Sequence, residues 1–368
     1  MELNGRLIMF FIMSMIMYIG GFLYISLRIN ATLRVHFPYN AYIVGAALLI
    51  AIIGMSSMIF RRGDYSFMQI LGPLGFICMG CFAITITVFI LIDIISIPNL
   101  FLKIPNFRYY AIWIAIILSA ILCISALLNV AFIQKIKKVT VKMDNLPVQT
   151  LKVAAIADLH INAWTSPKSI NKIFDKVQSL NPDIIVIVGD VIDVDINKND
   201  RFLEYGFSKL KAPQGVFVVT GNHEYYTGVK AFYDMFNKIG AKALKNESVL
   251  AGEIINIAGI EDINWNNQEI ILKSLSNTDN KYPTIFLSHR PESFNIAQQK
   301  EVFQISGHTH AGQIPPIWIA RNFFMQYNYG FYKKGKSTMY ITSGVRWWGP
   351  PMRLFNTCEI VLITIEKG

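Results

Sequence analysis

The stretch Val153-Ala154-Ala155-Ile156-Ala157-Asp158-Leu159-His160 sets an uninterrupted apolar run directly before a carboxylate and an imidazole two residues apart. A short apolar run of this kind reads as a buried strand, so Asp158 and His160 fall at its carboxyl end. Alternate residues of an extended backbone point the same way, and the pair is therefore expected to reach one ion. The same arrangement recurs along the chain. Ile184 to Val188 precedes Gly189-Asp190, Val216 to Val219 precedes Gly221-Asn222-His223-Glu224, and Ile285 to Leu287 precedes Ser288-His289, while Gly307-His308-Thr309-His310 follows Val302 to Ser306, which reads as one of the shorter strands. The chain has six histidines, and five of them (His160, His223, His289, His308, His310) lie in these motifs, which is not how scattered core histidines are distributed. In sheet proteins the carboxyl edge of the strands is where sites form.

Imidazole nitrogen together with carboxylate oxygen suits zinc, manganese or iron, whereas a magnesium or calcium site would ask for oxygens alone. Asp158, His160, Asp190, Asn222, His289, His308 and His310 make seven candidate ligands. That is too many for one tetrahedral ion and enough for two ions about 3.5–4 Å apart sharing a carboxylate. His223 is then left for proton transfer.

The ordered series Asp158-x-His160, Gly189-Asp190-x-x-Asp193, Gly221-Asn222-His223-Glu224, His289 and Gly307-His308-x-His310 resembles the calcineurin-like metallophosphoesterase superfamily. Each motif alone is weak; five in order are specific. Gly307 to Ile314, and Ser343-Gly344 onward through Pro350, Pro351 and Arg353, are similar to bacterial membrane-associated members. Some of that group resemble enzymes cleaving UDP-2,3-diacylglucosamine. The likeness runs from roughly Thr140 to the end of the chain.

The resemblance implies a four-layer αββα sandwich with two mixed sheets. It implies Asp158, His160 and His310 as ligands of one divalent ion, Asn222, His289 and His308 as ligands of a second, and Asp190 bridging them, with manganese first and iron or zinc as alternatives. A water between the ions would be acidified toward neutrality and held for in-line attack on phosphorus. His223 would protonate the leaving oxygen or stabilise the charge developing there. Asp193 stays open between direct contact and the orientation of a histidine ligand. Glu224 is expected to orient His223 or a neighbouring loop, and Arg290 either holds a phosphate oxygen or forms a surface ion pair.

Composition divides the chain near residue 134. Hydrophobic residues make up 53% of the whole, and only Glu2, Asp64 and Asp93 are acidic before Lys135, against 21 of the 24 acidic residues after it. Four apolar spans are expected at about residues 7–27, 41–60, 68–92 and 109–133, each long enough to cross a hydrocarbon core about 30 Å thick. Residues 1–134 then form a transmembrane region and 135–368 a phosphoesterase domain. Inner flanks carry Arg6, Arg61, Arg62, Lys135, Lys137, Lys138 and Lys142, outer loops only Arg28, Arg34, Lys103 and Arg108. Seven against four favours a cytoplasmic amino terminus and catalytic domain in a multi-pass protein of a bacterial inner or cytoplasmic membrane. Asp93, the one acidic residue in a span, has no second buried charge to pair with and is expected at the outer interface.

The net charge of +10 is spread rather than clustered, which reads as solubility and attraction to anionic lipid, not nucleic acid. Cys78 and Cys81 spell C-x-x-C inside an apolar run without a partner pair, so they are read as small packing residues. Arg346-Trp347-Trp348 and the aromatics from Trp318 to Tyr332, with Arg321 among them, suggest a rim in the headgroup region, with Trp347 and Trp348 as candidate substrate contacts. The expected function is a membrane-bound dimetal phosphodiesterase or pyrophosphatase acting on a lipid-linked substrate. A phosphodiesterase for soluble nucleotides and a non-catalytic metal-binding membrane scaffold are the alternatives; the complete ligand set together with His223 argues against the last.

Overall fold

The computed structural model describes residues 5–60, 68–194 and 203–368. The sequence places a sharp end of the second span at Arg61-Arg62-Gly63-Asp64 and a helix near Phe202 to Leu210; the first of these and Phe202 itself lie outside the described residues. The chain divides into two compact units.

The first unit is helical: α1 (Gly5–Leu33), α2 (Tyr39–Phe60), α3 (Met68–Ile95), the single turn α4 (Asn99–Leu102) and α5 (Phe107–Phe132). Four of these helices are long and apolar enough to cross a membrane. Their outward faces keep large apolar side chains, such as Leu49, Ile52, Ile117, Ile121 and Leu128, exposed. In water such a surface would be an unpartnered patch far beyond what a soluble monomer shows. Close approach of α1 and α3 rests on Gly21, where an added Cβ would fall 2.5 Å from the Phe82 ring, and on the stacking of Phe22 over Phe82 at 4.4 Å. Cys123 of α5 reaches the carbonyl of Cys81 on α3 at 3.9 Å, a packing contact with both thiols free.

Two features of this unit depart from expectation. Asp93 is not unpaired: the Tyr24 hydroxyl and the Arg28 guanidinium both donate to its carboxylate, with Arg28 Nε 3.2 Å from Oδ2. Arg28 belongs inside α1, which runs to Leu33, and not to an outer loop. The core is also completed from far along the chain. Ile314–Pro316 and Gly349–Leu354 belong to this unit, and Ile314, Met352 and Leu354 pack with Ile84, Val88, Phe89, Ile112, Ala115 and Ala126. The main chain of Arg353 is tied down twice, its N–H donating to the Ala126 carbonyl and its carbonyl accepting from Asn129, both at 3.1 Å.

The second unit holds two six-stranded mixed sheets. The first contains β1 (Gln134–Met143), β2 (Thr150–Ile156), β3 (Ile184–Val188), β4 (Val216–Val219), β5 (Lys242–Ala243) and β12 (Cys358–Lys367), in the order β1-β12-β2-β3-β4-β5. The second contains β6 (Glu247–Ala251), β7 (Ile255–Gly259), β8 (Thr284–Leu287), β9 (Phe303–Ser306), β10 (Gly330–Lys334) and β11 (Ser337–Ile341), in the order β10-β11-β9-β8-β7-β6. The strands β3 and β4 are apolar at every position, and β2 is so from Val153 to Ile156, because both faces are covered. Val153, Ala155, Val186, Val188, Val219, Ile257, Ile285 and Ile305 pack between the sheets. Ala154, Ile156, Ile185, Ile187 and Val218 face the other way, under Ile170, Ile173, Phe174 and Val177 of the helix Pro167–Gln178. Ala258 and Phe286 meet Ile271, Leu275 and Ala297 on the far side. Helix, sheet, sheet, helix is the resulting order of layers.

The first two strands do not form a hairpin through Asp144–Pro147. The last strand, β12, inserts between them, parallel to β1 and antiparallel to β2. Ser166 stands at the helix start with Pro167 in the first turn, but its side chain makes no capping bond.

Candidate metal centre

Every candidate ligand follows the carboxyl end of a parallel strand: Asp158 and His160 after β2, Asp190 after β3, Asn222 after β4, His289 after β8, His308 and His310 after β9. Lateral pairing continues past the strand ends and braces these loops. Asp158 N–H donates to the Gly189 carbonyl at 3.1 Å, His160 N–H to that of Asp190 at 3.0 Å, and Gly307 N–H to that of His289 at 3.1 Å.

The backbone at the ligands is not extended. Asp158, His160, Asp190, His308 and His310 all have positive φ, between 42° and 69°. Left-handed non-glycine residues cost about 1–3 kcal/mol each and persist where the surroundings over-determine them. The two ligands of Asp158-x-His160, and of His308-x-His310, thus converge through tight turns and not through strand alternation. Glycine supplies the room: a Cβ on Gly221 would lie 2.1 Å from Asp190 Oδ1, and one on Gly307 would lie 2.6 Å from Asp158 Oδ2.

Three groups of possible ligand atoms, each within 4.8 Å, occur among the described residues: His160, Asp193 and His223 form one, and the motif ligands form the other two, Asp158, His160 and His310 in one and Asp190, His289 and His308 in the other. Asp190 faces both, its Oδ2 being 3.1 Å from His289 Nε2 and 3.7 Å from His160 Nε2. Each carboxylate is aimed by a backbone amide, His223 N–H on Asp190 Oδ1 at 3.0 Å and His308 N–H on Asp158 Oδ1 at 3.1 Å. Asp158 Oδ2 and Asn222 Oδ1 are buried with no hydrogen-bond partner among the described residues. Buried electron-pair donors without protons to meet them fit divalent cations.

The imidazoles are oriented from behind. Asp193 Oδ1 lies 3.0 Å from His160 Nδ1 and 2.7 Å from His223 Nδ1, and the Val188 carbonyl lies 2.9 Å from His289 Nδ1. These oxygens can only accept, so the three Nδ1 atoms carry hydrogen and each Nε2 is turned to the centre, where a neutral ring offers a lone pair to an ion and a protonated ring offers a proton. Asp193 therefore aligns histidines. Burial works against its charge, yet His160 and His223 hold its carboxyl below the usual range. For His289 burial is likewise opposed and overcome, here by Asp190, which pushes the imidazole up to about 10. Burial, then His289 and Arg290, push His308 down to about 2, leaving it a neutral donor.

Glu224 holds a loop and not His223. Its carboxylate accepts from the N–H groups of Gly221, Asp190, Val191 and Ile192 at 2.6–3.2 Å, and burial, with Asp190 nearby, raises it to about 7. Arg290 is divided: Nε pairs with both oxygens of Asp262 at 3.0 and 3.2 Å, while Nη1 lies 3.5 Å from His308 Nε2.

The family model for calcineurin-like phosphoesterases matches residues 151–312. The chain is 31% identical over 261 residues to an uncharacterized metallophosphoesterase of Campylobacter jejuni, covering 68% of each chain. It belongs to the calcineurin-like phosphoesterases. A metallophosphoesterase of Helicobacter pylori is 32% identical over 238 residues, and a Danio rerio transmembrane protein with metallophosphoesterase domain 29% over 274 residues. The matched segments span 64% and 62% of those two relatives, a little under two thirds of their length.

Around this phosphoesterase centre the structure separates residues that the motifs had grouped. Trp348 is exposed and turns its ring edge-on to His223 at 6.1 Å. Trp347 lies under the buried guanidinium of Arg346 at 4.6 Å, and Arg346 donates to the carbonyls of Leu159 and His160 and to Thr165 Oγ1 at 3.0–3.3 Å. That pair supports the turn of Asp158 and His160. Of the aromatics from Trp318 to Tyr332, Tyr327 is core, while Phe323 and Phe324 of the helix Ile317–Phe324 are exposed.

Sequence reasoning passed over three supports. Buried Glu359 gathers Tyr329, Tyr340 and Thr342 hydroxyls and the Ser343 N–H at 2.8–3.1 Å. Gln313 clamps the main chain of Trp348 through both ends of its amide, at 3.0 and 3.1 Å. Tyr226 stands 5.9 Å from the His223 ring. Only Gln313 lay in a quoted motif; Glu359 sits in a terminal strand that gives no local sign of a site.

Proposed function

We propose that the chain is a membrane-bound two-metal phosphoesterase, a phosphodiesterase or pyrophosphatase, acting on a lipid-linked phosphate. The observation that carries the hydrolytic reading is the placement of Asp190 between two ligand groups with His223 beside it. Asp158, His160 and His310 would hold one divalent ion, and Asn222, His289 and His308 the other. Bound ions would supply Lewis-acid polarisation of the phosphoryl group and an acidified water, with manganese as the first candidate.

The protein's own groups do the rest. His223, with Nδ1 held by Asp193, keeps Nε2 toward the centre, where it delivers a proton to the departing oxygen. Arg290 Nη1, beside His308, is positioned to hold a non-bridging phosphate oxygen.

Lipid linkage is supported by Ile317, Phe323, Phe324 and Met325, exposed apolar side chains on and just after a short helix that also bears Arg321. Pro316, the residue immediately before that helix, belongs to the helical unit. An apolar and basic surface suits an anionic headgroup region. A cytoplasmic catalytic unit is the reading that the basic flanks favour, seven against four.

The test is turnover by the detergent-purified chain with manganese, comparing a monoester, a soluble diester and a lipid-linked diester or pyrophosphate of the same phosphate chemistry. Much higher kcat/KM on the lipid-linked substrate is expected, because remote acyl contacts add transition-state stabilisation. Equal turnover of soluble and lipid-linked compounds would replace this reading with that of a soluble-nucleotide phosphodiesterase.

A further inference from the structure

The surroundings of His223 describe the group that leaves. His223 is buried, but the two aromatic rings next to it are exposed: Trp348 at 6.1 Å and Tyr226 at 5.9 Å, each nearly perpendicular to the imidazole. Neither is filler for the core. Tyr226 is three residues beyond His223 on the turn of helix Glu224–Thr227 that Glu224 anchors, so its distance from the proton donor is fixed by one helical turn. Trp348 comes from the opposite end of the sequence and is held in place by the two-ended Gln313 clamp on its main chain. Two solvent-facing rings, one carried on an anchored helical turn and one on a clamped main chain, lie beside a proton donor and form a surface for whatever is bonded to the protonated oxygen.

We infer that Tyr226 and Trp348 are specificity-determining residues that select a leaving group whose ring, aromatic or saturated sugar, presents a broad face within two or three bonds of the leaving oxygen. This rests on His223 serving the leaving side, as proposed above. Ring faces pack on Trp and Tyr through offset or edge-on contacts, whereas a small alkoxide reaches neither. Selection then acts on the departing half of the substrate, while the metal ligands see only the phosphoryl group. Chemistry common to nucleosides, aryl alcohols and sugars satisfies the site, and the experiment separates them.

The test uses the full chain in detergent with four diesters sharing one methyl arm: methyl phenyl, methyl thymidin-5′-yl, methyl glucopyranos-6-yl and methyl trifluoroethyl phosphate. Wild type is compared with Trp348→Ala, Trp348→Phe and Tyr226→Ala, so the intrinsic reactivity of each leaving group cancels within each ratio. Each alanine variant should lose about three- to tenfold more kcat/KM on ring-bearing diesters than on the trifluoroethyl diester, and Trp348→Phe should recover most of that difference. Which ring is lost most identifies the source. Calorimetric binding of phenylphosphonate, weakened in Trp348→Ala relative to methylphosphonate, supplies a second readout without turnover. Equal losses on all four diesters, or equal weakening of both phosphonates, would overturn the inference and make the rings mere props for His223. Turnover of these lipid-free diesters too slow to measure in wild type would leave the lipid-linked reading standing, and the phosphonate binding comparison would then decide the role of the rings.

Discussion

Asp193 Oδ1 and His223 Nδ1 are 2.7 Å apart, and the same oxygen is 3.0 Å from His160 Nδ1, so one carboxylate sets the direction of both a metal-ligand candidate and the proton donor. Asp193→Asn keeps the shape but gives up the charge and presents an amide that can accept from only one imidazole in good geometry. Turnover should fall about 10–100-fold and metal affinity by a comparable factor, since partners behind a ligand contribute on that scale. Steady-state rates and equilibrium dialysis against manganese check both; a loss of rate with metal affinity intact would detach His160 from Asp193.

His223→Ala should leave the metal content near that of the wild type and reduce turnover by about 10²–10⁴. Elemental analysis beside the kinetics separates the roles, because release of metal would make His223 a ligand.

Metal stoichiometry should be two per chain. Asp158→Ala and Asn222→Ala sit in different ligand sets and should each lose about one ion first, seen by elemental analysis after desalting. Chelation should lower Tm measurably in both variants and in wild type, since a bound ion at 100 times its Kd stabilises by about 2.7 kcal/mol.

Glu224→Ala removes one carboxylate that satisfies four backbone N–H groups. Breaking such a buried, charged set should cost about 3–5 kcal/mol, read as a large drop in denaturation midpoint, with Asp190 displaced and metal lost as a consequence. Stability close to wild type would mean that solvent reaches these amides.

In the helical unit, Arg28→Gln or Asp93→Asn alone should destabilise more than the double replacement, because each single change strands one charge among apolar helices. Thermal unfolding in detergent of the three variants completes the cycle; additive losses would show that the pair contributes nothing beyond its parts.

The motifs made the convergent side chains legible because glycine and histidine are informative over a few residues: the crowding at Gly221 and Gly307 leaves no other residue type in those places. The layer order was equally readable, since Val153 to Ile156 and Ile184 to Val188 are apolar at every position, as only doubly covered strands are. What escaped depends on distant partners. The left-handed turns at Asp158 and His308 are imposed by neighbouring loops and leave no local trace, so an extended backbone was the natural expectation. The pairing of Arg28 with Asp93 spans 65 residues, and the insertion of β12 beside β1 spans over 200, beyond any periodicity in either segment.

The helical core that contains Met352 and Leu354 also sets a schedule for synthesis. α5 ends at Phe132, and 222 residues separate it from Leu354. At about 5–20 residues per second a ribosome needs roughly 10–40 s to cover that distance. During this interval the four helices have already emerged while the side chains that close their interior do not yet exist. The nascent bundle must therefore wait, part-packed, for a piece of polypeptide that is made only after most of the phosphoesterase half.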